Sequence, residues 1–250
     1  MDLETNLIGR QPILNRNEEI VAYELLFRSH SSLSWAKINN ARQATSTVII
    51  NTLSNFGIQD ILGSYRGFIN VDADMLLSDS MELLPKEFIG VELLENTIVT
   101  PELVEQCRRL KMQGCQLALD DHEYSMEHEV LYAGIVDIIK FDVIQTPLEK
   151  LAAMVEKLKP YPLKLLAEKV DTRAAYLTCR RMGFELFQGY FFARPSLMKK
   201  KRLEESAGVM FELLKHLSGD CDLTQIEEIF KKSPALTYKL LLLVNSVSLG

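Results

Sequence analysis

Short hydrophobic runs alternate along the chain with stretches in which apolar residues recur every three or four positions. The runs are typical of buried strands, and the stretches are typical of helices that cover a sheet. Strands are predicted at 11–15, 19–26, 65–71, 88–94, 116–120, 136–142, 163–168 and 184–187. Helices are predicted at 40–56, 73–84, 101–112, 123–132, 147–158 and 172–182.

A regular alternation of about eight strands with helices is typical of a (β/α)8 barrel, and a doubly wound open sheet is the alternative. Polar residues favour the barrel, because seven predicted strands carry one at or near the C-terminal end. In a barrel these ends converge on one mouth, where the chemistry of such proteins lies. The seven residues are Glu24, Asn70, Glu92, Asp120, Lys140, Glu168 and Gln188.

The stretch 116–121, with the sequence QLALDD, joins a buried strand to two adjacent carboxylates. An isolated pair of aspartates is most simply a turn or a helix cap. Two carboxylates at the end of a buried strand repel each other, however, and a divalent cation is the usual remedy. The polar residues at the other strand ends favour a cation site over a turn or a helix cap.

Four of the strand-end residues offer hard oxygen ligands, which suit Mg²⁺, Mn²⁺ or Ca²⁺ better than zinc: Glu24, Asn70, Glu92 and Asp120. Asp121 beside Asp120 lets one carboxylate bridge two ions, and Lys140 beside them stays protonated. This chemistry indicates metal-dependent hydrolysis of a phosphoester. Isomerases and aldolases on the same fold also use acids and a lysine, so the residues alone leave those classes open.

Composition narrows the class of protein. The 250 residues are 47 % hydrophobic and 25 % charged, which predicts a folded chain, and the net charge of −6 argues against a nucleic-acid partner. The four cysteines form no C-x-x-C pair, which favours reduced thiols and a cytoplasmic location. No signal peptide and no membrane-spanning run is predicted.

The pattern changes after Pro195 and becomes all helical from Arg202 onward. We therefore predict two domains, a barrel at 1–196 and a second unit at 197–250. The basic run 199–202 is predicted to be a solvated linker or a helix start. Because the last helices are too few for a core of their own, we expect the chain to be part of a longer protein.

Several motifs resemble those of EAL domains, the cyclic-di-GMP phosphodiesterases. Residues 23–28, YELLFR, are similar to the Glu-Ala-Leu-x-Arg signature, with Leu25 in place of the alanine. Further similar motifs follow in family order across about residues 7–196. They are RQPI at 10–13, FINV at 68–71, VELLE at 91–95, LDD at 119–121, IKFD at 139–142, LAEKVD at 166–171 and QGY at 188–190.

The resemblance implies a TIM-like barrel of the EAL type that opens cyclic-di-GMP to linear pGpG with two Mg²⁺ or Mn²⁺ ions. The implied metal ligands are Glu24, Asn70, Glu92, Asp120 and Asp121. The implied helpers of the attacking water are Lys140, Glu168 and Gln188. The implied substrate contacts are Gln11, Arg28 and Asp142, and Glu95 is implied to anchor the loop after the aspartates. A homodimer through the barrel is a further expectation.

The chain departs from the family at the loop 120–125. It reads DDHEYS where active members read Asp-Asp-Phe-Gly-Thr-Gly-Tyr-Ser, so the two flexible glycines are missing. Lys169 also replaces a glycine of the family motif. The altered loop predicts weak hydrolysis, and the alternatives are a cyclic-di-GMP receptor without turnover and a protein-interaction scaffold. Residues 233–246 resemble the start of an all-α HDOD domain, which predicts protein partners for that part.

Overall fold

The computed structural model describes residues 5–28, 57–95, 97–121, 124–192 and 196–201, together with residues 227 and 230. The predicted helix at 40–56 lies outside the described residues. The loop residues His122 and Glu123 lie outside them as well, as does nearly all of the predicted HDOD-like region.

The described elements follow the predicted alternation closely. The strands are β1 (Thr5–Leu14), β2 (Ile20–Arg28), β3 (Arg66–Val71), β4 (Ile89–Leu93), β5 (Leu117–Leu119), β6 (Ile138–Asp142), β7 (Lys164–Glu168), β8 (Leu186–Phe187) and β9 (Ser196–Lys201). The helices are α1 (Ile58–Leu62), α2 (Ala73–Leu77), α3 (Pro101–Met112), α4 (Glu129–Tyr132), α5 (Leu148–Leu158) and α6 (Arg173–Met182). The helical stretch predicted at 73–84 is α2 followed by a 3-10 helix at Asp79–Leu83.

The sheet closes into a barrel of eight strands, which confirms the predicted fold. Strands β2 to β8 are parallel and in sequence order, and β1 closes the barrel between β8 and β2. Strand β1 is antiparallel to both neighbours, so the first unit is a hairpin and not a strand–helix repeat. Its turn is held by Asn15, whose side-chain oxygen accepts the N–H groups of Asn17 and Glu19.

The basic run after residue 195 is wrongly predicted as a linker or a helix start. Residues 196–201 form β9, which pairs antiparallel with β1 from Ser196 opposite Arg10 to Lys201 opposite Thr5. Lysines are common on edge strands because their charge discourages pairing with other chains. The sheet of the barrel therefore extends to Lys201, and the domain predicted after it stays a prediction.

Helices cover the outside of the barrel and bury its main core. Helix α3 begins after Thr100, whose hydroxyl accepts the Leu103 N–H group at 3.2 Å, as expected for an N-cap. Helix α6 ends at Gly183, which adopts the left-handed conformation with φ of 115°. Among the described residues, no helix has the length and apolar character needed to cross a membrane.

The inside of the barrel is filled by one layer of apolar side chains. Seven strands supply one buried residue each: Ile13, Ala22, Phe68, Ala118, Ile138, Leu166 and Leu186. The remaining strand of the barrel, β4, has Gly90 at this level, and a Cβ atom there would lie 2.6 Å from the Phe68 ring. Gly90 therefore leaves the space that the large Phe68 side chain fills.

Candidate active site

A polar layer lies directly above the apolar layer inside the barrel. Side chains of a strand alternate between its two faces, so a residue two positions further along points to the same interior. Two positions after the apolar layer, β2 to β8 each carry a buried polar residue, within the strand or directly after it. These residues are Glu24, Asn70, Glu92, Asp120, Lys140, Glu168 and Gln188. Because β1 runs the other way, its matching residue is Gln11, which lies opposite Glu24 in the β1–β2 pairing.

Lys140 lies at the centre of this layer and is 1 % exposed. Its ammonium forms a close ion pair with Glu92 and lies 2.7 Å from Oε1 of Glu168. Oε2 of Glu24 is 3.5 Å away and Oδ1 of Asp120 is 3.7 Å away. One cation is thus shared among four buried carboxylates, which come from β2, β4, β7 and the end of β5.

Two amide side chains hold the carboxylate of Glu24 from both sides. Nδ2 of Asn70 donates to Oε1 of Glu24 at 3.1 Å, and Nε2 of Gln188 donates to Oε2 at 2.6 Å. These bonds orient the amides, so their carbonyl oxygens are the ends that remain for another ligand.

The cluster carries an excess of negative charge. With every acid ionised, four carboxylates and one ammonium give a formal charge of −3 inside the barrel. Burial raises the pKa of Glu168 to about 7, the Lys140 charge opposes this rise, and Asp120 and Glu24 add to it. Burial likewise raises the pKa of Glu92 well above its ordinary value against the opposing charge of Lys140. Burial acts to lower the pKa of Lys140, but the surrounding acids, Glu168 first, raise it well above its ordinary value.

Several buried oxygens of the layer accept no hydrogen bond from the described residues. They are Asn70 Oδ1, Glu92 Oε2, Glu168 Oε2 and Gln188 Oε1. A buried polar atom without a partner costs about 1–3 kcal/mol, and several in one layer indicate a ligand that the protein atoms do not supply. All four are oxygens, which are the ligands that hard divalent cations prefer.

Two groups of acids in the described residues bring their oxygens close enough for one cation each. Glu24, Glu92 and Glu168 form the first group, and Asp120, Asp121 and Glu168 form the second; within each group the oxygens lie within 4.8 Å of one another. The excess negative charge and the oxygen donors fit divalent cations at both places. Glu168 belongs to both groups, which the sequence pattern alone did not indicate.

The paired aspartates are separated by a sharp change in the backbone. Asp120 directly follows β5, and its N–H group donates to the Leu93 carbonyl at 2.9 Å. Asp121 then adopts the left-handed conformation with φ of 42°, which aspartate tolerates better than most residues. This turn brings both carboxylates to one group of acids although they are adjacent in the chain.

The structure describes two of the predicted substrate contacts, Gln11 and Arg28, and the predicted loop anchor, Glu95, to different extents. Gln11 is half-buried beside Glu24, in a position to contribute to the layer. Arg28 is the last residue of β2, and its side chain lies outside the described residues. Glu95 is exposed and lines a small cavity with Thr97 and Asp120. The substrate and loop roles predicted for these residues stay predictions.

Asp142 lies at the end of β6, next to Glu168 in the β6–β7 pairing. Its Oδ1 atom accepts the N–H groups of Ile144 at 2.8 Å and Gln145 at 3.0 Å. Its Oδ2 atom accepts a hydrogen bond from Lys169, a residue to which the sequence pattern gave no role. The signal was present in the sequence, since Lys169 replaces a motif glycine.

The loop after the aspartates is fixed at its far end. The Tyr124 hydroxyl forms a close hydrogen bond with Glu129, and the Ser125 N–H group lies 3.3 Å from the Tyr132 hydroxyl. Because His122 and Glu123 lie outside the described residues, the predicted effect of this loop on turnover stays a prediction.

Comparison with known proteins agrees with this geometry. The EAL domain family model matches residues 10–195. "Uncharacterized protein YuxH" of Bacillus subtilis (strain 168) is 34 % identical over 246 residues, which are 96 % of this chain and 59 % of that protein. "Cyclic di-GMP phosphodiesterase CdgJ" of Vibrio cholerae is 32 % identical over 247 residues, 98 % of this chain and 57 % of that protein. The chain thus spans less than three fifths of the length of these curated relatives.

Solved structures show the same fold. An EAL domain protein from Listeria monocytogenes EGD-e matches with a TM-score of 0.60 at 20 % identity, over 76 % of this chain and 88 % of that one. The manganese and cyclic-di-GMP complex of Klebsiella pneumoniae BlrP1 at pH 6 matches with a TM-score of 0.64 at 19 % identity, over 79 % of this chain and 57 % of that one. Because the family model spans every strand end of the polar layer, the chain belongs to the EAL domain family.

Proposed function

We propose that the chain is a cyclic-di-GMP phosphodiesterase that hydrolyses its substrate to linear pGpG with two divalent cations, Mg²⁺ or Mn²⁺. The observation that carries the proposal is the buried layer with a formal charge of −3, whose unsatisfied oxygens fit hard cations. Membership of the EAL domain family supports it, as does the 32 % identity to a protein named as a cyclic di-GMP phosphodiesterase.

The layer offers oxygens for both proposed cations. We assign the first to Glu24, Asn70, Glu92 and Asp120, and the second to Asp120 and Asp121. Such ions, when bound, activate water and stabilise the charge that develops on a phosphoryl group. Asn70 would offer Oδ1 and Glu92 would offer Oε2, because these oxygens accept no hydrogen bond from the described residues.

The remaining residues of the layer position the reactants. Gln188 fixes Glu24, and Lys140 keeps a positive charge at the centre of the layer. Glu168 and Lys140 together orient the attacking water. In the overall reaction the water oxygen forms a bond to phosphorus, one P–O bond of the ring breaks, and the proton ends on the leaving oxygen. Gln11, Arg28 and Asp142 are the proposed substrate contacts.

The test is incubation of the chain with cyclic-di-GMP and Mn²⁺ or Mg²⁺, followed by chromatography for pGpG. We expect pGpG with metal and none in EDTA, at a reduced rate because of the altered loop. Glu24→Gln should abolish the product, and Glu156→Gln should not, since Glu156 makes only an exposed ion pair with Lys159. Absence of pGpG beside an active control would contradict hydrolysis. Calorimetry would then separate a receptor, which binds the nucleotide, from a scaffold, which does not.

Other parts of the proposal rest on the sequence resemblance. We propose a homodimer through the barrel, a cytoplasmic location, and an HDOD-like unit after the barrel that binds protein partners. Light scattering on the purified chain tests the first of these, and a mass of one protomer at all concentrations would contradict it.

A further inference from the structure

Lys169 has a strained backbone at the rim of the polar layer. Its φ is 56°, a left-handed conformation that costs a non-glycine residue about 1 kcal/mol. Hydrogen bonds fix the chain on both sides, because the Glu168 carbonyl accepts from Val143 at 3.3 Å and the Val170 N–H group donates to Gln188 at 3.0 Å. A glycine would take this conformation without strain. The strain at this position therefore comes with the lysine side chain, and its contacts indicate what the side chain does.

The side chain carries its ammonium to the acids at the mouth. The ammonium donates to Oδ2 of Asp142, whose side chain is 6 % exposed, while the Lys169 side chain is 42 % exposed. Burial acts to lower the pKa of Lys169, but the Asp142 hydrogen bond and the charges of Asp121, Asp142 and Glu168 raise it. The Lys169 ammonium thus pairs with Asp142, which lies opposite Glu168 in the β6–β7 pairing. Glu168 also directly precedes Lys169 in the chain and belongs to the second candidate cation group.

We propose that Lys169 is a built-in cation that weakens binding of the second divalent ion, the one assigned to Asp120 and Asp121 beside Glu168. The inference rests on the proposed function only in assuming that divalent ions bind to the layer. A fixed positive charge beside a cation position repels the incoming ion, and for a single and a double charge screened nearly as in water this is worth about tenfold in affinity. The acids whose charges act on Lys169 are Asp121, Asp142 and Glu168. The first position, with Glu24 and Glu92, should therefore change less.

Manganese titrations of the whole chain test the proposal without any turnover. Binding of Mn²⁺ alone is followed by calorimetry and by the electron paramagnetic resonance signal of the free ion. We expect one tighter and one weaker site in the wild type. Lys169→Gln should tighten the weaker site about tenfold, whereas Lys169→Arg, which keeps the charge, should leave it as in the wild type.

A second ion pair gives a matched control. Lys111 pairs with Asp137, and both side chains are partly exposed. Asp137 comes just before β6, at the opposite end of the barrel from Asp142. Lys111→Gln breaks a comparable pair, so it should leave both manganese sites unchanged.

The outcomes separate this inference from the proposed hydrolysis. Equal tightening by the Gln and Arg variants of Lys169 would show that the side chain acts by its shape, which overturns the proposal. A change of less than twofold in Lys169→Gln, or a single manganese site in both the wild type and this variant, overturns it as well. Tightening in Lys169→Gln upholds it even where no pGpG forms, because then only the proposed function has failed. Lys169→Gly, which removes both the charge and the strain, gives a second neutral variant should Lys169→Gln fold poorly.

Discussion

Glu168→Gln should make the metal-free protein more stable at alkaline pH. In the fold the pKa of Glu168 is about 7, because burial outweighs the attraction of Lys140, whereas its ordinary value is 4.5. At pH values below 4.5, an acid whose pKa is raised by folding does not lower the free energy of unfolding, because it is protonated in both states. It destabilises the fold progressively as the pH rises from 4.5 to 7, because the unfolded chain ionises first.

The size of the effect follows from the shift in pKa. One pKa unit is worth about 1.4 kcal/mol, so Glu168 lowers the free energy of unfolding by about 3 kcal/mol between pH 4.5 and 8. For a domain of this size, about 3 kcal/mol corresponds to roughly 6–12 °C in Tm. Glutamine keeps the shape of the protonated acid and does not ionise, so Glu168→Gln should lack this part of the pH dependence.

The assay is urea unfolding in EDTA at several pH values from 5 to 8.5, for the wild type and Glu168→Gln side by side. We expect the two free energies of unfolding to diverge with pH, with the variant more stable at pH 8. Saturating Mn²⁺ should reverse the order, because the wild type keeps the carboxylate that both candidate cation groups share. Glu156→Gln serves as the surface control and should follow the wild type throughout. Parallel curves for the wild type and Glu168→Gln in EDTA would refute the reasoning.

Two further substitutions and one labelling experiment have defined outcomes. Gln188→Ala removes the 2.6 Å hydrogen bond to Glu24, so cyclic-di-GMP turnover should fall at least about tenfold while Tm falls by only a few degrees. Gly189→Ala should prevent folding, because a Cβ atom there would lie 2.3 Å from the Val170 backbone, and circular dichroism would show the loss. Burial raises the pKa of Cys107 to about 12 and of Cys115 to about 11, so neither thiol should react with Ellman's reagent at pH 8 until the protein is unfolded.

Each of these three predictions has a control or an outcome that would contradict it. Gly63→Ala is the control for Gly189→Ala, since Gly63 also has a positive φ but has no atom within 4 Å of its Cβ position, and it should cost only about 1 kcal/mol. Unchanged turnover in Gln188→Ala would show that Glu24 does not need this amide. Rapid labelling of Cys107 in the native protein would contradict its burial.

The convergence of the polar strand ends could be predicted because it follows from two local rules. Parallel strands of a barrel end on one side, and alternate residues of each strand point inward. Ala118 and Asp120, or Leu166 and Glu168, therefore fall into an apolar and a polar layer whatever the loops between them do. The structure confirms this convergence, while the catalytic roles of the residues stay predictions.

The direction of β1 and the strand β9 could not be predicted from local patterns. The pattern of buried and exposed residues along a strand does not show the direction in which the strand runs in a sheet. Only the short turn at Asn15 indicates that β1 and β2 form a hairpin. The basic run 199–201 has the composition of a solvated segment, and its partner β1 lies at the other end of the described chain. A pairing of this range leaves no periodic signal near either strand.

The balance of charge in the polar layer also depends on contacts between distant strands. Glu168 is the residue that the two candidate groups of acids share, so its charge lies next to both proposed cation positions. Glu168 pairs with Lys140 at the centre, belongs to both groups of acids, and directly precedes Lys169 in the chain. Removing its charge should therefore weaken both manganese sites, whereas removing the charge of Lys169 should tighten only the second. Opposite effects from two adjacent residues would not arise if either acted only through the stability of the fold, because a general loss of stability would move both sites in the same direction.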